Sequence, residues 1–179
     1  MKAIKTESTA PLIWQLENTR FQRIKRLTET HGLSVLHLTY AVLSGYFSRI
    51  TGEEEIVIDV PVHNRKNARQ KDTVGLFAAV IPVKITLKLT RDTFFDVMKK
   101  AAEELRRCYK HQHLSITKIN EQTKIKQKTG RAQLFDITLS FELFRLNVDM
   151  QGCVTRLEIL SNHVSACFIS TFLPKTAKR

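Results

Sequence analysis

Apolar residues recur at helical spacing from Asn18 through Phe21, Ile24 and Leu27, and the pattern stops at Gly32. A glycine at that place closes a helix in the left-handed conformation. Ser34 then stands as an N-cap before Val35, Leu36, Leu38, Val42, Leu43, Tyr46, Phe47 and Ile50. Those positions follow a 3.6-residue period up to Gly52 and predict a buried second helix. Leu12 to Leu16 reads as a short strand or a turn.

After the acidic Glu53–Glu55, the period changes. Residues 56–62 (IVIDVPV) are nearly continuous in β-branched residues, as expected of a strand covered on both faces. Residues 63–73 form a charged loop. A second β-branched run over 74–89 alternates from Ile81 onward, with Val83, Ile85, Leu87 and Leu89 on one side and Lys84, Thr86 and Lys88 on the other. Pro82 inside it points to an edge position or a bulge. Thr93 caps a third helix whose face is Phe94, Val97, Met98, Ala101, Leu105, Cys108 and Tyr109. The basic, amide-rich residues 116–131 read as a short helix or an exposed loop. Strands are then expected over 134–144, 154–160 and 163–172, with Phe135, Ile137, Leu139, Phe141 and Leu143 on one face of the first. The order of helices and strands implies an α/β layer in which a mixed sheet packs with helices. Residues 1–11 are expected to be a flexible arm, 12–173 one packed unit and 174–179 a basic tail.

Composition narrows the classes. The chain has 179 residues, enough for one domain or one lobe of something larger, and an apolar fraction of 42% supports a core. A formal net charge of +12 makes acidic partners attractive. Three scattered cysteines (Cys108, Cys153 and Cys167) form no CxxC pair, so reducing cytosol and no zinc site are expected. No apolar run approaches the ~18 residues of a membrane span, and the N-terminus lacks a signal-peptide apolar stretch. Secreted, membrane-embedded and disulfide-stapled classes are disfavoured.

Signatures of catalysis are few. GxGxxG, Walker A, HExxH and GxSxG motifs are all missing. His111 and His113, two apart, suit a polar turn better than a metal site. Cys108 lies on an apolar helix face, where structural thiols are the rule. His37 falls between apolar helix positions and reads as a packing or surface histidine. Asp136, in an otherwise apolar strand, should face solvent or a cation such as Arg131 or Arg65. Residues 99–131 hold ten Lys/Arg against three acids, which invites a nucleic-acid reading. Stacking aromatics are nearly absent between Tyr109 and Phe135, and a solvated basic face or an acidic protein partner fits the charge equally.

Four segments in order resemble the C-terminal half of the condensation domains of nonribosomal peptide synthetases. Residues 31–65, ending in PVHNR, resemble the family's long helix, acidic turn and strand with a Pro-x-x-x-Arg end. Residues 74–85 (VGLFAAVIPVKI) are similar to its [IV]-G-x-F-V-N-T motif. His111-Gln112-His113-Leu114-Ser115 stands where the family has H-Q-D-x-P, and GRAQLFDITLSFE resembles the late R-N-P-L-F-D strand. The resemblance covers residues from about 14 to 145.

That resemblance implies a chloramphenicol acetyltransferase-like lobe, one of two that enclose a cleft. The parent activity it implies is amide-bond formation between acyl and aminoacyl thioesters held on the phosphopantetheine arms of peptidyl carrier proteins. The family's reactive histidine belongs to an H-H-x-x-x-D-G motif on the N-terminal lobe, and this chain has no adjacent His-His pair. No catalytic residue is therefore assigned here, and the lobe is expected to be inactive alone. Arg65 matches an arginine that pairs with the aspartate of that motif, which implies a role at the lobe interface. Its carboxylate would come from another chain or from elsewhere in this one; otherwise Arg65 stays solvated. Gly75 and Phe77 match the cleft-side motif, where Ala79 replaces an asparagine and removes an amide donor and acceptor. His111 and Gln112 match the family loop, and Asp136 matches a structural position of the late strand. Implied partners are an N-terminal lobe, neighbouring synthetase modules and carrier proteins. The chain is expected to hold no cofactor or metal of its own. A non-catalytic carrier-binding or self-associating module is the alternative, with a basic nucleic-acid-binding protein second.

Overall fold

The computed structural model describes residue 14 and residues 16–88, 90–143 and 167–172, with side chains described as far as residue 141. Two helices lead the chain: α1 (Asn18–Thr30) and α2 (Val35–Thr51). Ser34 caps α2 through a reciprocal pair. Its hydroxyl accepts from the His37 amide, and its own amide donates to His37 Nδ1 at 3.0 Å. Gly52, with φ 75°, ends α2 in the left-handed conformation that glycine reaches without steric cost.

β1 (Glu55–Val62) follows, then the one-turn α3 (Ala68–Lys71), β2 (Ala79–Thr86) and the long α4 (Phe94–Lys110). Thr93 and Asp96 form a second capping box at the start of α4. Short helices α5 (Ile116–Thr123) and α6 (Ile125–Thr129) fill the basic stretch, and β3 (Thr138–Leu143) and β4 (Cys167–Phe172) join the sheet. The strand order is β2-β1-β3-β4. β1 runs antiparallel to β2 and parallel to β3, and β3 runs parallel to β4. The mixed sheet and its helices are as the periodicity implies. The expected strand over 154–160, the arm over 1–11 and the tail over 174–179 lie outside the described residues.

Period-two alternation places Ile56, Ile58, Val60 and Val62 on one face of β1, beside Ile81, Val83 and Ile85 of β2 and Leu139 of β3. Onto this face α2 sets Tyr40 and Ala41, and α4 sets Val97, Met98, Ala101 and Leu105. Tyr40 is fully buried, and its hydroxyl lies 3.0 Å from the Ile58 carbonyl and 2.5 Å from that of Val83. One side chain thus ties α2 to both strands of the β1–β2 pair. Burial pushes its phenol well above the usual tyrosine range.

The second helix follows expectation in part: Val35 is buried, and Leu36, Leu38, Leu43 and Phe47 pack against the core. Val42, Tyr46 and Ile50 are exposed, and the buried stripe is Val35, Tyr40, Ala41, Ser44 and Ser48. Small residues win that face because they let α2 approach its neighbours closely, while bulky ones would hold it off. Likewise Leu27 is exposed and Thr28 buried, with the Thr28 hydroxyl donating to the Lys25 carbonyl.

Among the described residues Pro82 lies on a sheet edge, a place that its missing N–H suits. The Asp59 amide donates to the Ile137 carbonyl, just ahead of β3, so the facing Asp59–Pro82 pair shares no hydrogen bond and the proline nitrogen turns outward. Its carbonyl is met by the Cys108 thiol at 3.8 Å.

Candidate functional site

β1 delivers Arg65 three residues beyond its end, after Asn64 turns the chain at φ 51°. The following residues curl back around the Arg65 guanidinium. Asn67 caps α3 by accepting from the Gln70 amide at 2.8 Å, and the Gln70 side-chain carbonyl accepts from the Lys66 amide at 2.7 Å. The Thr73 hydroxyl donates to the Arg69 carbonyl at 2.6 Å. This hydrogen-bonded arc aims a row of carbonyls inward. Arg65 donates through one terminal nitrogen to Gln70 and to Thr73, the latter at 2.7 Å, and through the other to Gly75 at 2.9 Å. Its carbon centre lies 4.1 Å from the centroid of the Phe77 ring. A guanidinium suits the place because its fork offers several donors in one plane while its flat face stacks on an aromatic ring.

Gly75 has φ 153°, a conformation L side chains rarely adopt; a Cβ there would meet Phe77 at only ordinary contact distance, 3.5 Å. Backbone conformation, more than space, calls for glycine. Ala79 opens β2 opposite Val62, half-buried. Arg65, Gly75 and Phe77, far apart in motif terms, therefore form one cluster at the mouth of the β1–β2 pair. Among the described residues no carboxylate pairs with Arg65, and backbone carbonyls of its own loop accept from it.

Asp136 does not join this cluster. It is exposed and pairs with Arg131, one of the two cations expected for it. His111 is the C-cap of α4, exposed, followed by half-buried Gln112 in a turn. That turn brings His111 and His113 to one shallow groove, with Lys110 and Leu114. Cys108 is half-buried, and burial, with Glu104 nearby, pushes its thiol up and away from the reactive thiolate. The cations of the basic stretch decorate α4, α5 and α6, where Lys100 pairs with Asp92 and Arg107 with Glu104.

Two residues carry more than the sequence reading gave them. Asp59 is 1% exposed in the central strand, on the face opposite Ile58 and Val60. The Thr138 hydroxyl bonds its carboxyl, Oδ1 has no partner among the described residues, and burial raises its pKa. An acid inside a β-branched run was the available signal. His37 is the other: accepting at Nδ1 places its ring proton on Nε2, and burial lowers its pKa.

The Condensation domain family matches residues 6–163, most of the chain. The protein belongs to the condensation domain family. Among curated relatives, a plipastatin synthase component of Bacillus subtilis (strain 168) is 26% identical over 126 residues, 70% of this chain and 4% of that protein. A linear gramicidin synthase component of Brevibacillus parabrevis is 21% identical over 147 residues, 82% of this chain and 3% of that protein. In fold, this condensation-family chain is similar to the first condensation domain of the CDA synthetase, with TM-score 0.64 and 20% identity over 75% of this chain and 29% of that one. It is also similar to a mutant form of the starter condensation domain of the rhizomide synthetase RzmA, with TM-score 0.63 and 22% identity. That likeness spans 79% of this chain and 33% of the other. The fold is that of a chloramphenicol acetyltransferase-like lobe.

Proposed function

We propose that this chain is the C-terminal lobe of a nonribosomal peptide synthetase condensation domain, and that it takes part in amide-bond formation only when an N-terminal lobe completes the cleft. The observation that carries this reading is the convergence of Arg65, Gly75 and Phe77 on one cluster at the end of the β1–β2 pair. Side chains from two motifs meet there as a condensation-family surface would need, inside a match that spans residues 6–163.

The chemistry divides between the lobes. Joining an amine to a thioester requires the amine to be positioned and its proton removed as the carbon–sulfur bond breaks. In this chain Cys108 is held as a thiol, Asp59 is enclosed and His37 is committed to a helix cap, so none offers a base to a cleft. His111 and Gln112 occupy the turn after α4, and Ala79 brings only a methyl group to the start of β2. This lobe supplies a wall and a loop, and the reacting imidazole belongs to the partner. Carrier proteins bring the acyl and aminoacyl groups on phosphopantetheine arms, which are substrates here and not a resident cofactor. The setting is the cytoplasm, and the basic surface favours the acidic faces of such carriers.

Reconstitution tests the reading. The chain mixed with an N-terminal condensation lobe supplied as a separate chain should join two carrier-bound thioesters, while either lobe alone gives only background. A complex that forms and remains at background overturns it.

A further inference from the structure

Between the α1–α2 turn and α4 lies an open cleft of about 400 Å³. Gly32 brings no side chain to it and His37 brings an imidazole, while α4 supplies Ala102, Leu105 and Tyr109 together with Glu103 and Arg106. Leu105 is buried and Ala102 and Tyr109 are half-buried, so the floor is apolar. Glu103 and Arg106 are exposed and stand at the rim. One turn apart on α4, these two could pair, as the adjacent Glu104 and Arg107 do at 2.8 Å. Among the described residues, neither pairs with anything. The His37 ring accepts from Ser34 through Nδ1, which leaves Nε2–H as a donor at the cleft without a partner among the described residues. The Tyr109 hydroxyl is in the same position, and burial pushes its phenol up, so it too stays a donor.

We propose that this cleft binds a free α-amino acid with a large apolar side chain. Arg106 takes the carboxylate, Glu103 takes the ammonium, and the side chain lies over Ala102 and Leu105. His37 and Tyr109 add neutral donors for the carboxylate. The pattern of charge selects this class of ligand. A simple anion would meet Glu103 and a simple amine would meet Arg106, each a like-charge contact. A ligand with both signs a few ångströms apart satisfies both. Residues one turn apart on a helix have Cβ atoms about 5–6 Å from each other, which suits the short span between the charges of an amino acid. The volume falls within the roughly 300–1,000 Å³ of small-molecule sites. No residue of the Arg65 cluster takes part, so the site stands apart from the function proposed above. An occupant would bridge the α1–α2 turn to α4 and thereby stabilise the folded chain.

The test is titration of the full chain with L-phenylalanine, followed by amide NMR and thermal melting. Binding is expected with a Kd on the order of 0.1–1 mM. Amide shifts should centre on residues 32–37 and 102–109, and the melting temperature should rise with ligand concentration. Glycine lacks the side chain, N-acetyl-L-phenylalanine the ammonium and L-phenylalaninamide the carboxylate. Each should bind about tenfold more weakly or worse. Glu103 and Arg106 are exposed, so Glu103→Gln and Arg106→Gln leave the core intact. Each should weaken L-phenylalanine binding about tenfold. Glu103→Gln should also cease to distinguish L-phenylalanine from its N-acetyl form, and Arg106→Gln should cease to distinguish it from the amide. N-acetyl-L-phenylalanine bound by the wild-type chain as tightly as L-phenylalanine would make this an anion site and overturn the assignment. Unchanged affinity in both variants overturns it as well, as does the absence of any shift up to about 10 mM L-phenylalanine.

Discussion

Beneath α2 and α4, order comes from area: Ile58, Val83, Met98, Leu105 and Leu139 are each excluded from water and hold one another in place by contact. Around Arg65, order comes from direction, since a few donors aimed at carbonyls of residues 70–75 hold a loop with little apolar burial of its own. The first kind of order is cooperative, so damage to any member spreads through the sheet. The second is local, and its loss should leave the sheet standing. In one chain, the core supplies the platform and the braced loop is held upon it by directed bonds.

The largest effect should come from the core. Ile58→Ala removes a fully buried side chain from the central strand and should cost about 2–5 kcal/mol in urea denaturation, enough to threaten the fold. A cost near zero would mean that the sheet is not the seat of stability.

Asp59 tests the polar element inside the core. Burial favours its protonated form, so the folded chain keeps this proton to higher pH than the unfolded chain does. Its contribution is therefore best below the unfolded pKa, near pH 4, and is lost as pH rises through the raised native value. Asp59→Asn removes that slope. The variant should gain on wild type as pH rises above about 4, in paired denaturation curves. Parallel curves across that range would show the carboxyl to be adequately solvated.

The smallest global effect is expected at Arg65. Arg65→Ala should shift overall stability by less than about 1 kcal/mol, since each exposed hydrogen bond and cation–ring contact is worth a fraction of that. Exchange of the amides in residues 70–77 should nonetheless accelerate strongly. Global unfolding on this substitution would erase the distinction between the two regions.

Much of the platform was legible in the sequence. Gly32, Ser34, Gly52 and Thr93 mark helix ends through local chemistry, and Pro82 marks an edge, so these boundaries need no knowledge of the tertiary structure. The face of α2 was legible in part: Leu36, Leu38, Leu43 and Phe47 do meet the core, but periodicity also rewards Val42, Tyr46 and Ile50 for size. Close approach in the folded chain selects Ala41, Ser44 and Ser48 instead. At the candidate site, Arg65, Gly75 and Phe77 were singled out by motif, yet their mutual contact was not. A guanidinium can meet a carboxylate or a carbonyl row, and only the path of residues 66–75 decides between them. Asp59 was passed over because the surrounding run reads as apolar, and its enclosure depends on β3, far along the chain.

The outward nitrogen of Pro82 has a bearing on handling the isolated protein. β2 has one strand neighbour among the described residues, so its far side could template an invading chain into a fibril. At Pro82 the ring offers an intruder nothing to accept from, and the Cys108 thiol already meets the carbonyl. Polymerisation along that rim is thereby interrupted near its middle, which favours a chain that stays dispersed in concentrated solution.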